Sequence, residues 1–235
     1  MTKILIIGSG RWAHHLEKSL ALAGVTHTRW ARKTHNEDQL VEQLETASHV
    51  WLAISDTSLG EWVPALPELG FRGLILHSSG ALEIPGAHSV HPLMSFGPHL
   101  YPDDFYPRYA FVTTSSLSHQ ELIPGLPNPL THIPLDKKTF YHAMCVLGGN
   151  GSVLLWQKFL FEMRQMGIST ESSTLYVQRV CENLLTQSST ALTGPLVRQD
   201  QITLQKDLEA MTGDPFQTVL AAMIVAYRHQ GKELL

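Results

Sequence analysis

The sequence predicts an α/β fold, a doubly wound parallel sheet followed by an all-helical C-terminal domain, and three observations lead there. Short aliphatic and β-branched runs alternate with helical patterns through the first half of the 235 residues. A glycine-rich turn, Gly8-Ser9-Gly10-Arg11-Trp12-Ala13, directly follows the first of these runs. The composition then breaks near residue 136: eleven of the thirteen histidines and eleven of the thirteen prolines precede position 137, and long helical stretches follow. Domains at 1–136 and 137–235 are expected.

In chain order, Lys3–Gly8 reads as the first strand and the residues after it as a helix reaching about Gly24. Val25–Arg32 forms a second strand, Glu37–Ala47 a second helix and Val50–Ser55 a third strand, with Leu74–His77 and Tyr109–Thr113 as further strands. Alternation at this spacing favours a parallel sheet, whose ligand crevice lies at the carboxyl ends of the strands.

The G-x-G-x-x-A pattern at residues 8–13 fits the turn of a Rossmann-type dinucleotide-binding domain. The first glycine allows the tight turn, and the second lets backbone amides approach a pyrophosphate. Ala13 is small enough for helix to pack on strand. Ser9, Arg11 and Trp12 complete the turn, whose helix N-terminus favours phosphate. An NAD-binding chain places an acid about twenty residues beyond the first glycine. Here Arg32 and Lys33 stand in that stretch and the first acid is Glu37. Charge-assisted hydrogen bonds to a 2′-phosphate, with help from Lys33 or Thr34, therefore favour NADP(H) over NAD(H). Ser55, Asp56 and Ser79 are further candidates for the crevice, although Asp56 fits a surface turn equally well.

Composition narrows the function classes. A formal charge of −4 makes nucleic acid or an anionic membrane surface an improbable main partner. The apolar run Thr218–Tyr227 is about half the ~20 residues that cross a bilayer. The opening Met1–Gly8 does not read as a signal peptide. Cys145 and Cys181 lie far apart, as suits a reducing cytoplasm. His88, His91 and His99, or the pair His14-His15, lack metal-ligand spacing, so no metal is expected. No G-x-S-x-G supports a serine hydrolase.

Four ordered motifs are distinctive: His77-Ser78-Ser79-Gly80-Ala81-Leu82; Ala87–Phe96 with His91-Pro92; Tyr141-His142-Ala143 with Asn150 eight residues after His142; and Ala191–Pro195 with Arg198, Asp200 and Thr203. In this order the chain resembles bacterial Rossmann-like proteins whose C-terminal helical domain has no known function. These resemble, more distantly, pyrroline-carboxylate reductases and the 6-phosphogluconate and β-hydroxyacid dehydrogenases. The resemblance implies an NADP-type nucleotide-binding domain and a helical domain that often builds a dimer. It implies no particular substrate.

Reduction of a carbonyl or imine needs a bound nicotinamide, a proton donor and groups that orient the acceptor. His91 is the first candidate for the proton, since an ordinary histidine titrates near 6.5. Alternatively, it holds the His-Pro turn through a loop carbonyl. His142 and Asn150 fall on one predicted helix, about 80° apart in projection and ~12 Å along the axis, and both can border one cleft. The glycines beside Asn150 suggest close backbone approach to cofactor or to another helix. Arg198 either clamps a substrate carboxylate or pairs with Asp200 to fix the loop between two helices. The expected function is an NADP-dependent oxidoreductase acting on a small polar carbonyl or imine compound, assembled as a homodimer through the helical domain. The alternative is a non-catalytic NADP(H)-binding sensor.

Overall fold

The computed structural model describes residues 2–230 and divides into two compact units, Met1–Ser152 and Val153–Leu235. In the first, a five-stranded parallel sheet is built from β1 (Ile4–Ile7), β2 (His27–Trp30), β3 (His49–Leu52), β4 (Leu74–His77) and β5 (His88–Ser89). The order is β2-β1-β3-β4-β5, every pair parallel. The connecting helices are α1 (Arg11–Leu22), α2 (Glu37–Thr46) and α3 (Asp56–Glu68). This is the Rossmann-like arrangement the alternating runs predict.

The sheet is covered on both faces, which explains why β1 is apolar at every position. Ile4 and Ile6 point into a cluster with Ala13, Leu16, Leu20, Trp51 and Phe111. Leu5 and Ile7 point the other way, against Leu40, Leu44, Leu59, Val63 and Leu66. Helix α2 opens with a capping box, Asn36 accepting from the Gln39 amide while the Gln39 side chain accepts from the Asn36 amide.

A second, smaller sheet departs from the purely parallel expectation. Its strands β6 (His91–Pro92), β7 (Phe111–Thr113) and β8 (Leu130–His132) pair antiparallel and then parallel. The expected Tyr109–Thr113 strand is its middle member. The short helix α4 (His119–Leu122) lies between β7 and β8 in sequence.

The helical run that follows begins inside the first unit. Helix α5 (Lys138–Cys145) passes into a π-helical segment, Val146–Gly151. The Lys138 ammonium anchors α5 by donating to the Glu83 carboxylate at 2.7 Å and to the Leu82 carbonyl. The compact unit consequently extends through Ser152, beyond the composition break at 136.

The second unit is helical: α6 (Ser152–Gln165), α7 (Thr170–Thr186), α8 (Pro195–Arg198), α9 (Gln201–Ala210) and α10 (Phe216–Gln230). Among its described residues, Leu204 and Ile224 are the buried apolar side chains. No helix among the described residues is long and apolar enough to cross a membrane.

Candidate functional site

The glycine turn sits at the carboxyl end of β1 as expected. Gly8 has φ +149°, and a Cβ there would collide with the Ala53 carbonyl after β3. Only glycine lets the two strand ends close up in this way. Gly10 is the N-cap residue of α1; it offers no side-chain cap, and the first turn holds no acidic residue. The leading amides of α1 are thus free to bind an anion. Ala13 is fully buried between helix and sheet, the packing role expected of it.

A crevice of about 580 Å³ opens above this turn. Gly8, Ser9, Gly10, Arg11, Trp12, Arg32, Lys33, Ser55 and Asp56, all named from the sequence as candidates, line it. Trp30, Trp62, Ser78, His91, Met94 and Phe96 also line it, and of these only His91 was expected at a site. Arg32 and Lys33 are both exposed. Thr34 is not a lining residue, because its hydroxyl turns back to the Ala31 carbonyl at 3.3 Å and to His35.

Ser79 is a correction. It is buried and does not line the crevice; its hydroxyl donates to Asp56 at 2.7 Å and accepts from the Leu82 amide at 3.0 Å. It holds Asp56, and Asp56 is the residue that reaches the crevice wall.

His91 also lines a second cleft of about 530 Å³, with Met94, Tyr141, His142, Cys145 and Asn150 among its walls. The structure therefore brings His91, His142 and Asn150 together. His91 Nδ1 lies 2.8 Å from the Tyr141 hydroxyl, and the His91 and His142 rings meet edge to face at 6.1 Å. Gly80 makes room for both rings: a Cβ there would lie 2.5 Å from His142 and 3.0 Å from His91.

Electrostatics alter the expected role of His91. Burial, then the neighbouring His142 and Lys138, push its pKa down to about 4. At neutral pH the ring is uncharged and carries one N–H and one acceptor nitrogen. Burial, with Cys145 alongside, pushes the Tyr141 hydroxyl up, so it remains protonated. The loop-carbonyl alternative for His91 is replaced by this imidazole–phenol contact. His77, fully buried, is likewise lowered to about 4, chiefly by burial and then by Lys138.

Two further expectations change. Among the described residues a Cβ on Gly148 or Gly149 would meet no atom within 4 Å, so close packing within the first unit does not explain them. No ion pair joins Arg198 to Asp200 among the described residues. Asp200 instead caps α9, accepting from the Thr203 amide at 3.1 Å and its hydroxyl at 2.7 Å. Of the histidines weighed as metal ligands, His88 faces Ser115, and His15 contacts Tyr106 and the Gly97 carbonyl.

Sequence comparison assigns the C-terminal half. Residues 115–232 match the family described as "Domain of unknown function (DUF2520)". The chain belongs to that family. No curated protein matches it. Among solved structures, the DUF2520 chain is similar to a putative NADP oxidoreductase from Bacteroides fragilis, with TM-score 0.75 and 18% identity over 96% of this chain and 97% of that one. A Plasmodium falciparum pyrroline carboxylate reductase with NADP bound matches at TM-score 0.60 and 12% identity, covering 99% and 98%. An imine reductase variant from Myxococcus stipitatus in complex with NAD+ gives 0.60 and 16%, covering 99% and 95%. At these identities the similarity establishes the fold of the DUF2520 chain, and its chemistry must be argued from its own residues.

Proposed function

We propose that the protein is an NADP-dependent oxidoreductase that transfers a hydride to or from a small polar carbonyl or imine compound. The observation that carries this reading is the position of His91, which lines both the glycine-turn crevice and the second cleft. A proton-transferring group belongs where a cofactor site and a substrate site meet.

The crevice fits a pyridine dinucleotide by its own chemistry. The uncapped amides of α1 and the open space before Gly10 suit a pyrophosphate. Arg32 and Lys33, beyond β2, offer cations to a 2′-phosphate, which supports NADP(H) over NAD(H). Bound there in reduced form, the nucleotide supplies the hydride. The NADP- and NAD-containing neighbours support a pyridine nucleotide in a fold of this kind, without choosing between the two.

The chain's own groups handle the proton and the orientation. With Tyr141 donating to Nδ1, His91 carries its proton on Nε2; as that proton passes to the substrate heteroatom the phenol proton moves to Nδ1, so the imidazole stays neutral and the phenolate is reprotonated from solvent. His142 and Asn150 border the same cleft and can orient a polar acceptor. The apolar side chains of Leu93, Met94 and Met144 in that wall favour a small compound with one polar face. Arg198, in the second unit, is retained as a candidate for a substrate carboxylate.

The assembly we propose is a homodimer through the helical unit. Leu185 is 84% exposed, Ile202 71% and Leu175 59%, while among the described residues of that unit the buried apolar side chains are Leu204 and Ile224. A helical unit of this size needs more buried apolar surface than that, and a second copy would supply it. The free cysteines Cys145 and Cys181 support a cytoplasmic location.

The test is turnover: small keto acids and cyclic imines screened with NADPH, following absorbance of the reduced cofactor. Reduction of a member of either class, abolished in His91→Ala, supports the assignment. Saturable NADPH binding with no turnover across the panel would favour a sensor.

A further inference from the structure

Ser78 follows β4, and its hydroxyl oxygen accepts two hydrogen bonds, from Trp12 Nε1 at 2.7 Å and from Trp51 Nε1 at 2.8 Å. An indole N–H can only donate. A serine oxygen has two acceptor positions and a single proton, so both acceptor positions are occupied. That proton has no partner among the described residues. Neither indole is free to turn away: Trp51 is fully buried in the sheet, and Trp12 packs against Trp51 at 6.1 Å and against Phe96 at 5.0 Å.

Ser78 lines the glycine-turn crevice but not the second cleft. It is therefore a fixed donor facing the nucleotide's space rather than the substrate's. Strand order says which end of the nucleotide it meets. Arg32 lies beyond β2, on one side of the β1 glycine turn, and Ser78 follows β4, on the other. With a 2′-phosphate at Arg32 and the pyrophosphate at Gly8–Arg11, the nicotinamide extends over the β3–β4 side. Its carboxamide oxygen is an acceptor with no proton of its own.

We propose that Ser78 binds the nicotinamide carboxamide oxygen, and that Trp12 and Trp51 orient its hydroxyl by filling both acceptor positions. The consequence is that one ring face of the nicotinamide is presented toward His91. This inference rests on the functional reading above, since it requires a pyridine nucleotide in the crevice.

The experiment is a fluorescence titration of wild type, Ser78→Ala and Ser78→Thr with NADPH and with 2′-phospho-ADP-ribose, which lacks the nicotinamide. Ser78→Ala is expected to bind NADPH about threefold to tenfold more weakly and 2′-phospho-ADP-ribose unchanged. Ser78→Thr, which keeps the hydroxyl, should bind NADPH as wild type does. Equal binding of NADPH by Ser78→Ala, or an equal loss for both ligands, overturns the proposal while leaving the functional reading standing. Failure of wild type to bind either ligand overturns both. If Ser78→Ala does not fold, wild type is titrated with the thionicotinamide analogue of NADPH, whose sulfur is a poor acceptor. Weaker binding of the analogue supports the contact, and equal binding overturns it.

Discussion

The imidazole of His91 and the phenol of Tyr141 are held 2.8 Å apart, in a T-shaped arrangement with ring centroids 5.6 Å apart. The two residues come from different elements, β6 and α5, and the contact ties the phenol proton to the tautomer of a neutral histidine. A protonated phenol donating to Nδ1 leaves the proton on Nε2. Tyr141→Phe should therefore fold normally and bind NADPH as wild type does, yet lose about tenfold in turnover. Nitrogen NMR of His91 is the decisive measurement: wild type should show the Nε2–H tautomer, and Tyr141→Phe a mixture. An unchanged tautomer in the variant would refute the positioning role.

His91 itself is the larger test. His91→Ala should leave NADPH affinity nearly intact, because the phosphates rest on the Gly8–Ala13 turn and the α1 amides. Turnover should fall by about 10²–10⁴, the usual contribution of a placed general acid. His91→Asn keeps a polar side chain in the turn without a titrating nitrogen, and should be equally inactive. Full activity of His91→Asn would reduce the histidine to a turn-holder.

Acid should destabilise the first unit in a defined window. His77 and His91 both have folded pKa values near 4, below the 6.5 of the unfolded chain. The unfolded state consequently takes up their protons first. The stability these groups contribute is fully present above pH 6.5 and is lost as pH falls through 6.5 toward 4, by about 3 kcal/mol per group. Urea denaturation at pH 7, 5.5 and 4.5 should show this slope, and His77→Gln should flatten it by about half. Equal slopes in the two proteins would show that His77 is not held neutral.

Lys138 links stability to the site. It is buried, paired with Glu83, and its charge helps to lower both histidines. Lys138→Met should cost about 1–3 kcal/mol through the unpaired Glu83 and Leu82 acceptors. It should also raise the pKa of His91 toward the ordinary value, visible in an NMR titration. An unchanged His91 titration would show that burial and His142 set it without Lys138.

The cofactor preference and the assembly are checked independently. Arg32→Ala should weaken NADPH by about tenfold to a hundredfold and leave NADH unchanged, the expected worth of a charge-assisted phosphate contact of about 1.5–3 kcal/mol. Equal affinity of wild type for the two cofactors would remove the preference. Light scattering at micromolar concentration should return the mass of a dimer, and a monomer would contradict the helical-unit interface.

Legibility followed the range of the interactions. The glycine turn and the parallel strands were readable because their signals are local: a fixed glycine spacing and continuous apolar runs in a sheet covered on both faces. The second sheet was not fully readable. β6 is two residues long and contains Pro92, and the last two residues of β8 are exposed, so neither carries a periodic pattern. Ser78 and Tyr141 stand within two of the distinctive motifs, but their hydrogen-bond partners are distant in sequence. Trp12 lies 66 residues from Ser78, and His91 lies 50 from Tyr141. Both stood beside residues that had been singled out, but adjacency does not reveal a hydrogen-bond partner. The lowered pKa of His91 is a property of burial, which a single sequence does not specify. Ser79 shows the converse: a serine in the right motif whose hydroxyl turns inward to Asp56.

Binding of a pyridine dinucleotide in the crevice above the glycine turn underlies the chemistry proposed for this chain, and the decisive check is titration of wild type and Gly10→Val with NADPH. Gly10 has φ −77° and ψ 178°, a conformation open to valine, and a Cβ there meets nothing within 4 Å. The substitution should therefore preserve the fold while filling the space before the α1 amides. Trp12, Trp30 and Trp62 line the crevice, so their fluorescence reports occupancy. Wild type should show saturable quenching with a stoichiometry of one per chain, and a folded Gly10→Val at least about a tenfold loss of affinity. No saturable binding by wild type, or equal binding by the folded variant, would contradict it.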